Sequence, residues 1–295
     1  MKLVKIAVAT MRSTNSKSAN VATMRNLMKN AAASGATMIF FPEVASYMSV
    51  SSADTISNAD SVDGPTVQQL REEARISNIW LSSCLHEKSD NGDSDHRVYN
   101  SQLMINPKGD VVSLYRKIHL FDISIPDKGI SLMESRSIRP GNQYVTCTDT
   151  PVGNVGLATC YDMRFPEMTV KLREMGASLL TFPSAFTVPT GKAHWHTLLR
   201  ARAIESQCFV VAAAQVGQHN EKRQSYGHSL VVSPWGEVLY DGGGYSSEGF
   251  DETTQELDFV GFVEIDLALV DEVRTKMPIA AHRESANKVV EEKNL

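Results

Sequence analysis

Three residues of complementary chemistry stand at the ends of apolar runs in this chain: Glu43, Lys117 and Cys160. Cys160 closes Val155-Gly156-Leu157-Ala158-Thr159-Cys160 and is followed by Tyr161-Asp162-Met163-Arg164-Phe165-Pro166-Glu167. A thiol placed where a buried strand gives way to a helix start would be stabilised as thiolate by the unpaired N–H groups and dipole there. Glu43 follows Ile39-Phe40-Phe41-Pro42, and partial desolvation at a strand end would raise its pKa toward neutrality and suit it to proton transfer. Lys117, in Tyr115-Arg116-Lys117-Ile118-His119-Leu120-Phe121, would lower the pKa of a nearby thiol and stabilise a developing oxyanion. Together the three outline a cysteine hydrolase whose base is a glutamate rather than a histidine.

Each has a plainer reading on its own. Glu43 alone reads as an exposed acid in a loop, and Lys117 as a solvated lysine at a strand end. Glu134, in Leu132-Met133-Glu134-Ser135, has the weakest local warrant: either it positions the lysine or a bound group, or it is a surface acid. His119 competes as the base for Cys160, but Ile118, Leu120 and Phe121 around it favour a core or wall histidine, and the same discount applies to His194 and His228. Cys84, Cys147 and Cys208 lie in apolar or strand-like contexts and read as small core hydrophobes. No C-x-x-C pair and no zinc-finger histidine spacing occurs, so a structural metal is not expected.

The elements that must position these groups alternate between strand and helix. Strands are predicted over 3–9, 37–41, 80–85, 98–105, 110–116, 155–160, 178–182 and 208–214, with more near 227–232, 237–240 and 259–265. Helices are predicted over 17–34, from Gly64-Pro65 to Arg75, and over 166–175 and 192–206. Asn106-Pro107-Lys108-Gly109 is a turn, 88–97 a polar hairpin loop, and 242–250 a Gly-rich surface loop. Two strand–helix halves with paired strands between them suggest an α/β fold of two sheets back to back with helices outside. No low-complexity linker divides the chain, so one domain is expected.

The 295 residues are 42% hydrophobic and 21% charged, the balance of a soluble globular protein. A formal charge of −5 gives no reason to expect nucleic acid or an anionic membrane as partner. Each apolar run is under a dozen residues, too short for a bilayer span. The first nine residues read as a strand rather than a signal segment, and the expected location is cytoplasmic.

Phe-Pro-Glu at 41–43, Arg-Lys-Ile-His-Leu-Phe-Asp at 116–122 and Cys-Tyr-Asp-Met-Arg-Phe-Pro-Glu at 160–167 resemble the carbon–nitrogen hydrolases of the nitrilase superfamily. The resemblance runs from about residue 3 to 283, leaving a tail at 284–295. It implies an αββα four-layer sandwich of two mixed sheets, and carries the catalytic Glu, Lys and Cys onto Glu43, Lys117 and Cys160. A second family glutamate falls on Glu134. Thr10 departs from the glutamine many relatives have after the first strand. The resemblance also implies a homodimer, a small-molecule amide substrate and no cofactor.

Within the superfamily, the runs 190–195, 199–205 and 221–229 look like the deaminated-glutathione amidase branch. Enzymes of that branch release 2-oxoglutarate and cysteinylglycine; the neighbouring ω-amidase branch acts on 2-oxoglutaramate. A 2-oxo acid carries a carboxylate, which Arg164, four residues beyond the thiol, would bind bidentately. The alternative for Arg164 is an ion pair with Glu167 or another acid. By resemblance, Phe186 and Thr190 line the same pocket and the Tyr161 backbone N–H serves the oxyanion. Arg223 and His228 are candidates for the cysteinylglycine side only because they lie in the branch-specific run. Two other classes compete: a protein acting mainly through a binding partner, and a Cys–His acyltransferase using His119 or His194.

Overall fold

The computed structural model describes the backbone of residues 3–88, 94–125, 130–245 and 257–293. The chain begins with β1 (Leu3–Met11), α1 (Lys17–Ala33), β2 (Met38–Phe40), α2 (Ser52–Ser57) and α3 (Pro65–Ser77). Next come β3 (Trp80–Glu87), β4 (Tyr99–Ile105), β5 (Val111–Arg116) and a hairpin of β6 (Asp122–Ile125) and β7 (Ile130–Met133). The strands β8 (Val145–Thr150) and β9 (Gly153–Leu157) lead to α4 (Pro166–Glu174), β10 (Leu179–Thr181) and α5 (Val188–Ser206). Then follow β11 (Phe209–Ala212), β12 (Ala214–Asn220), β13 (Arg223–Tyr226), β14 (Leu230–Val232), β15 (Val238–Asp241) and β16 (Phe259–Asp266). Two helices, α6 (Ala268–Lys276) and α7 (Ile279–Lys293), close the described chain.

The strands form two mixed sheets. One runs β13-β12-β1-β2-β3-β4-β5, with β16 also paired to β1; the other runs β15-β14-β11-β10-β9-β8. The period-2 alternation of β1 shows how they stack. Val4, Ile6 and Val8 join a core that includes Val155, Leu157, Leu179 and Val210 of the second sheet. Ala7, Ala9 and Met11 point the other way, onto Met24, Leu27 and Met28 of α1 and Val67 and Leu70 of α3. Successive side chains of a strand must face opposite sides, so sheet one is apolar on both faces, as a strand buried between layers requires. Met168 and Leu172 of α4 and Trp195, Leu199 and Ala203 of α5 cover the second sheet. The order is helix, sheet, sheet, helix: an αββα sandwich.

Most expected elements form within a few residues of their sequence boundaries, with instructive exceptions. The single strand expected over 208–214 is two strands in different sheets: β11 pairs with β10, whereas β12 pairs with β1. The chain crosses between the sheets at Ala213, and uniform burial on both sides of the crossing hides it from an apolar-run analysis. The strand expected over 155–160 ends at Leu157, and α5 starts at Val188, with Pro189 in its first turn, rather than at 192. The expected tail begins inside α7. Parts of the polar loop (89–93) and of the Gly-rich loop (246–250) lie outside the described residues. The turn at 106–109 forms as expected: Asn106 Oδ1 accepts from the N–H groups of Lys108 and Asp110, and Gly109 takes φ +77°. Among the described residues no helix is long and apolar enough to cross a membrane.

Candidate active site

Both sheets deliver their functional residues to the segments just past strand C-termini. Glu43 follows β2 by three residues and is 4% exposed. Its backbone carbonyl accepts from Gln215 Nε2 at 3.0 Å, from the start of β12. Its carboxylate is filled on both oxygens. Oε1 accepts from Asn100 Nδ2 at 2.8 Å and Lys117 Nζ at 3.0 Å, and Oε2 from the Ala185 N–H at 3.0 Å. Lys117 is the first residue past β5 and is 2% exposed. Its Nζ lies 2.9 Å from each oxygen of Glu134, which opens a short 3-10 turn after β7. The Phe121 N–H donates to Glu134 Oε2 at 2.7 Å. The lysine ammonium is thus held between two carboxylates, and Glu134, the weakest candidate in the sequence, is one of its direct partners.

Cys160 opens a 3-10 turn spanning Cys160–Arg164 rather than closing a strand. Its φ is +51°, left-handed for a residue with a Cβ, an arrangement that costs energy and concentrates at functional sites. The turn is anchored by buried Asp162. That carboxylate accepts from the Tyr115 hydroxyl (2.6 Å), the Thr159 N–H (2.8 Å) and the His119 N–H (3.0 Å). The Glu43 carboxylate and the Ala185 N–H both act electrostatically on the thiol, and the same N–H donates to Glu43 Oε2 at 3.0 Å.

The electrostatics correct two expectations. Burial pulls the Glu43 carboxyl up, but the Lys117 charge, the hydrogen bonds from Cys160 and Lys117, and the field of Arg223 outweigh it. Glu43 is therefore held below the ordinary glutamate range, not raised toward neutrality. Burial, followed by the neighbouring Glu43 charge, drives the Cys160 thiol far above its usual pKa despite Lys117 and the Ala185 N–H. A turn of five residues supplies too little dipole to reverse that. Burial lowers the affinity of Lys117 for its proton, and the charges of Glu134 and Glu43 more than restore it, so the ammonium is held well above its ordinary pKa. The resting group is a neutral thiol beside an ionised carboxylate and an ammonium.

The other candidates separate clearly. Arg164 places its guanidinium 5.6 Å from the ring centroids of both Tyr161 and Phe186, and its Nη2 lies 3.2 Å from His194 Nδ1. It forms no ion pair with Glu167 or another acid among the described residues. Phe186 is buried and packs edge-on against Trp195 at 4.9 Å. Thr190 sits in the first turn of α5, its hydroxyl 2.8 Å from that of Thr187. His119 stacks on Phe165 at 3.6 Å with Nδ1 2.7 Å from Asp162 Oδ1, a wall histidine rather than a base for the thiol. Cys84, Cys147 and Cys208 are buried as expected, although Cys208 Sγ also meets Arg274 Nη2 at 3.2 Å. Asn100 and Asp162 were missed: a strand asparagine and an acid in a turn carry no local signal, and only the fold brings them to Glu43 and the Cys160 turn.

The chain is similar to several known proteins. The family model described as carbon-nitrogen hydrolase matches residues 5–275. The nitrilase and fragile histidine triad fusion protein NitFhit of Drosophila melanogaster is 46% identical over 279 residues, covering 94% of this chain and 57% of that protein. The deaminated glutathione amidase of Mus musculus is 42% identical over 279 residues, covering 94% of this chain and 82% of its own length. The crystal structure of the C. elegans NitFhit protein superposes with a TM-score of 0.86 at 43% identity, over 96% of this chain and 66% of that one. The chain thus spans just over half to two thirds of the fusion proteins it matches. With a family model running from β1 into α6, and a sandwich that places a buried glutamate, lysine and cysteine together, the chain belongs to the carbon–nitrogen hydrolase family.

Proposed function

We propose that this protein is an amidase that hydrolyses deaminated glutathione to 2-oxoglutarate and cysteinylglycine through a Cys160 thioester. The observation that carries the chemistry is the buried Glu43–Lys117 pair, 3.0 Å apart, whose charges both act on the Cys160 thiol. Because the thiol is held protonated and Glu43 ionised, proton transfer to Glu43 accompanies attack of sulfur on the amide carbonyl. Lys117 Nζ and the Tyr161 backbone N–H are assigned to the developing oxyanion, each such donor contributing about 2.7–4 kcal/mol. Glu43 then passes its proton to the leaving amine of cysteinylglycine. Water enters, gives a proton to Glu43 and attacks the thioester; collapse expels the Cys160 sulfur, which recovers that proton. Glu134 keeps Lys117 charged and in place.

Arg164, with no acidic partner among the described residues, is assigned to the substrate carboxylate, and Phe186 and Thr190 to the same pocket. Arg223, whose charge is felt at Glu43, is the better candidate for the cysteinylglycine half, since His228 already hydrogen-bonds Asp241. The reading extends to one domain over 1–295 with its core at about 3–283, a homodimer and a cytoplasmic location. The substrate rests on relatives named deaminated glutathione amidase. The ω-amidase alternative shares the acyl half and differs only in its leaving group.

The test is kcat/KM on deaminated glutathione and on 2-oxoglutaramate, with Cys160→Ala as blank. A preference of about tenfold for the peptide, about 1.4 kcal/mol of transition-state discrimination, is expected. The reverse preference makes the protein an ω-amidase, and no turnover of either overturns the substrate assignment.

A further inference from the structure

A second cluster of ligand-type side chains lies on other elements. His196 of α5, His228 in the turn between β13 and β14, and Asp241 at the end of β15 converge on one point. Asp241 Oδ2 is 2.8 Å from His196 Nε2 and 3.1 Å from His228 Nδ1, and the three donor atoms lie within 4.8 Å of one another. Ligands placed about 2.0–2.2 Å from one metal ion stand roughly 2.8–3.5 Å apart. Two of the spacings are therefore already those of a coordination shell, and the third closes by a small movement of the more exposed His196. We propose that His196, His228 and Asp241 form a binding site for a divalent transition cation of the Zn2+ type, clamping α5 to the β13–β15 connection.

The surroundings are those of a supported site. The His228 N–H donates to Gly243 O at 2.6 Å, and the Gly243 N–H donates to Asp241 Oδ1 at 2.9 Å. The Trp195 Nε1–H donates to His228 O at 2.8 Å, and Tyr226 stacks on the His228 ring at 4.4 Å. His228 also takes φ +59°, a left-handed conformation a non-glycine residue adopts only when its surroundings impose it. Such outer contacts fix the orientation of ligating imidazoles. Two imidazoles and one carboxylate favour zinc, cobalt or nickel over magnesium or calcium. With side-chain exposures of 35% and 31% at His196 and Asp241, solvent can complete the shell.

The clamp would act on the substrate pocket's wall. His194, Trp195 and His196 are consecutive on α5, and the first two touch Arg164 and Phe186.

The test titrates ZnCl2 into chelator-treated Cys160→Ala protein, which lacks the competing active-site thiol, by calorimetry with parallel thermal melts. One equivalent binds saturably and raises Tm. His196→Ala and Asp241→Asn each weaken binding by at least about tenfold and abolish the Tm response; His196 is exposed enough for its removal to leave the fold intact. The absence of saturable binding up to millimolar zinc, or binding and melting responses unchanged in both variants, overturns the proposal and leaves a hydrogen-bonded His–Asp–His network.

Discussion

Replacing Glu134 with glutamine removes one of the two charges that hold Lys117. The substitution is nearly isosteric, yet the hydrogen-bond pattern does not survive it. Oε1 of Glu134 receives Lys117 and, at 3.4 Å, Asn100, while Oε2 receives the Phe121 N–H and Lys117 again. All of these partners are donors, so a glutamine must turn its NH2 toward one of them. One charge-assisted hydrogen bond is lost and one donor left facing another, a cost of about 1.5–3 kcal/mol. If Lys117 stabilises the oxyanion, that cost falls on the transition state, and kcat/KM drops by about 10- to 100-fold. The pH profile adds a second readout. Burial lowers the proton affinity of Lys117 and the Glu134 charge does most to restore it, so in Glu134→Gln the ammonium loses its proton at lower pH and the alkaline limb of kcat/KM moves toward neutrality. The assay is steady-state amide hydrolysis from neutral pH up to the most alkaline pH at which both proteins stay folded, with a thermal melt at each pH to exclude unfolding, and the expected sign is an alkaline limb in Glu134→Gln at a pH where wild type still shows none. A folded Glu134→Gln protein within about twofold of wild type, with an unmoved alkaline limb, would refute the role given to the lysine.

Other outcomes follow from the same geometry. Cys160→Ala should fold and lose essentially all turnover, whereas Cys208→Ala should keep most of it; equal loss in both removes Cys160 as nucleophile. Arg164→Lys keeps the charge but not the bidentate fork, so KM should rise by about tenfold with little change in Tm, and an unchanged KM removes Arg164 from the pocket. Buried His219 and half-buried His86 are each lowered from 6.5 to about 4, chiefly by desolvation. The unfolded chain takes up their protons first as pH falls, so stability is lost between pH 6.5 and about 4, with a ceiling of about 3 kcal/mol for each. Urea melts of His219→Asn should show a shallower loss over that window than wild type, and parallel curves would exclude His219 as a source.

The parts of the site legible in the sequence are those where local context and function coincide. Glu43 and Cys160 follow buried runs, and Lys117 follows the last strand of a meander, so the alternation that marks the strands also marks where their ends lie. Asn100, Ala185 and Gln215 could not be read in this way. Each acts on Glu43 from a distant part of the chain, and what selects it is the register of β4, the segment after β10 and the start of β12. The pKa directions were misjudged for a related reason. Desolvation alone raises a carboxyl, but the sequence does not show that Glu43 shares its burial with an ammonium 3.0 Å away. The crossing at Ala213 escaped because a strand leaving one buried sheet for another stays apolar throughout.

The pairing of β1 bears on how the protein is made. Its edge opposite β2 is covered by β16 from Leu3 to Thr10 and by β12 at Thr10 and Met11. Leu3 pairs with Asp266, far later in the chain. At about 5–20 residues per second, β1 therefore waits on the order of tens of seconds for its partner to be synthesised. Throughout that interval a nascent chain carrying β1 to β5 presents an apolar, unpaired edge, the kind of surface that recruits other strands. Gln215, which fastens the backbone of Glu43, is also made late. A truncated product ending before β12 would lack both the cover and the fastening, and its fate would fall to chaperones and proteases rather than to catalysis.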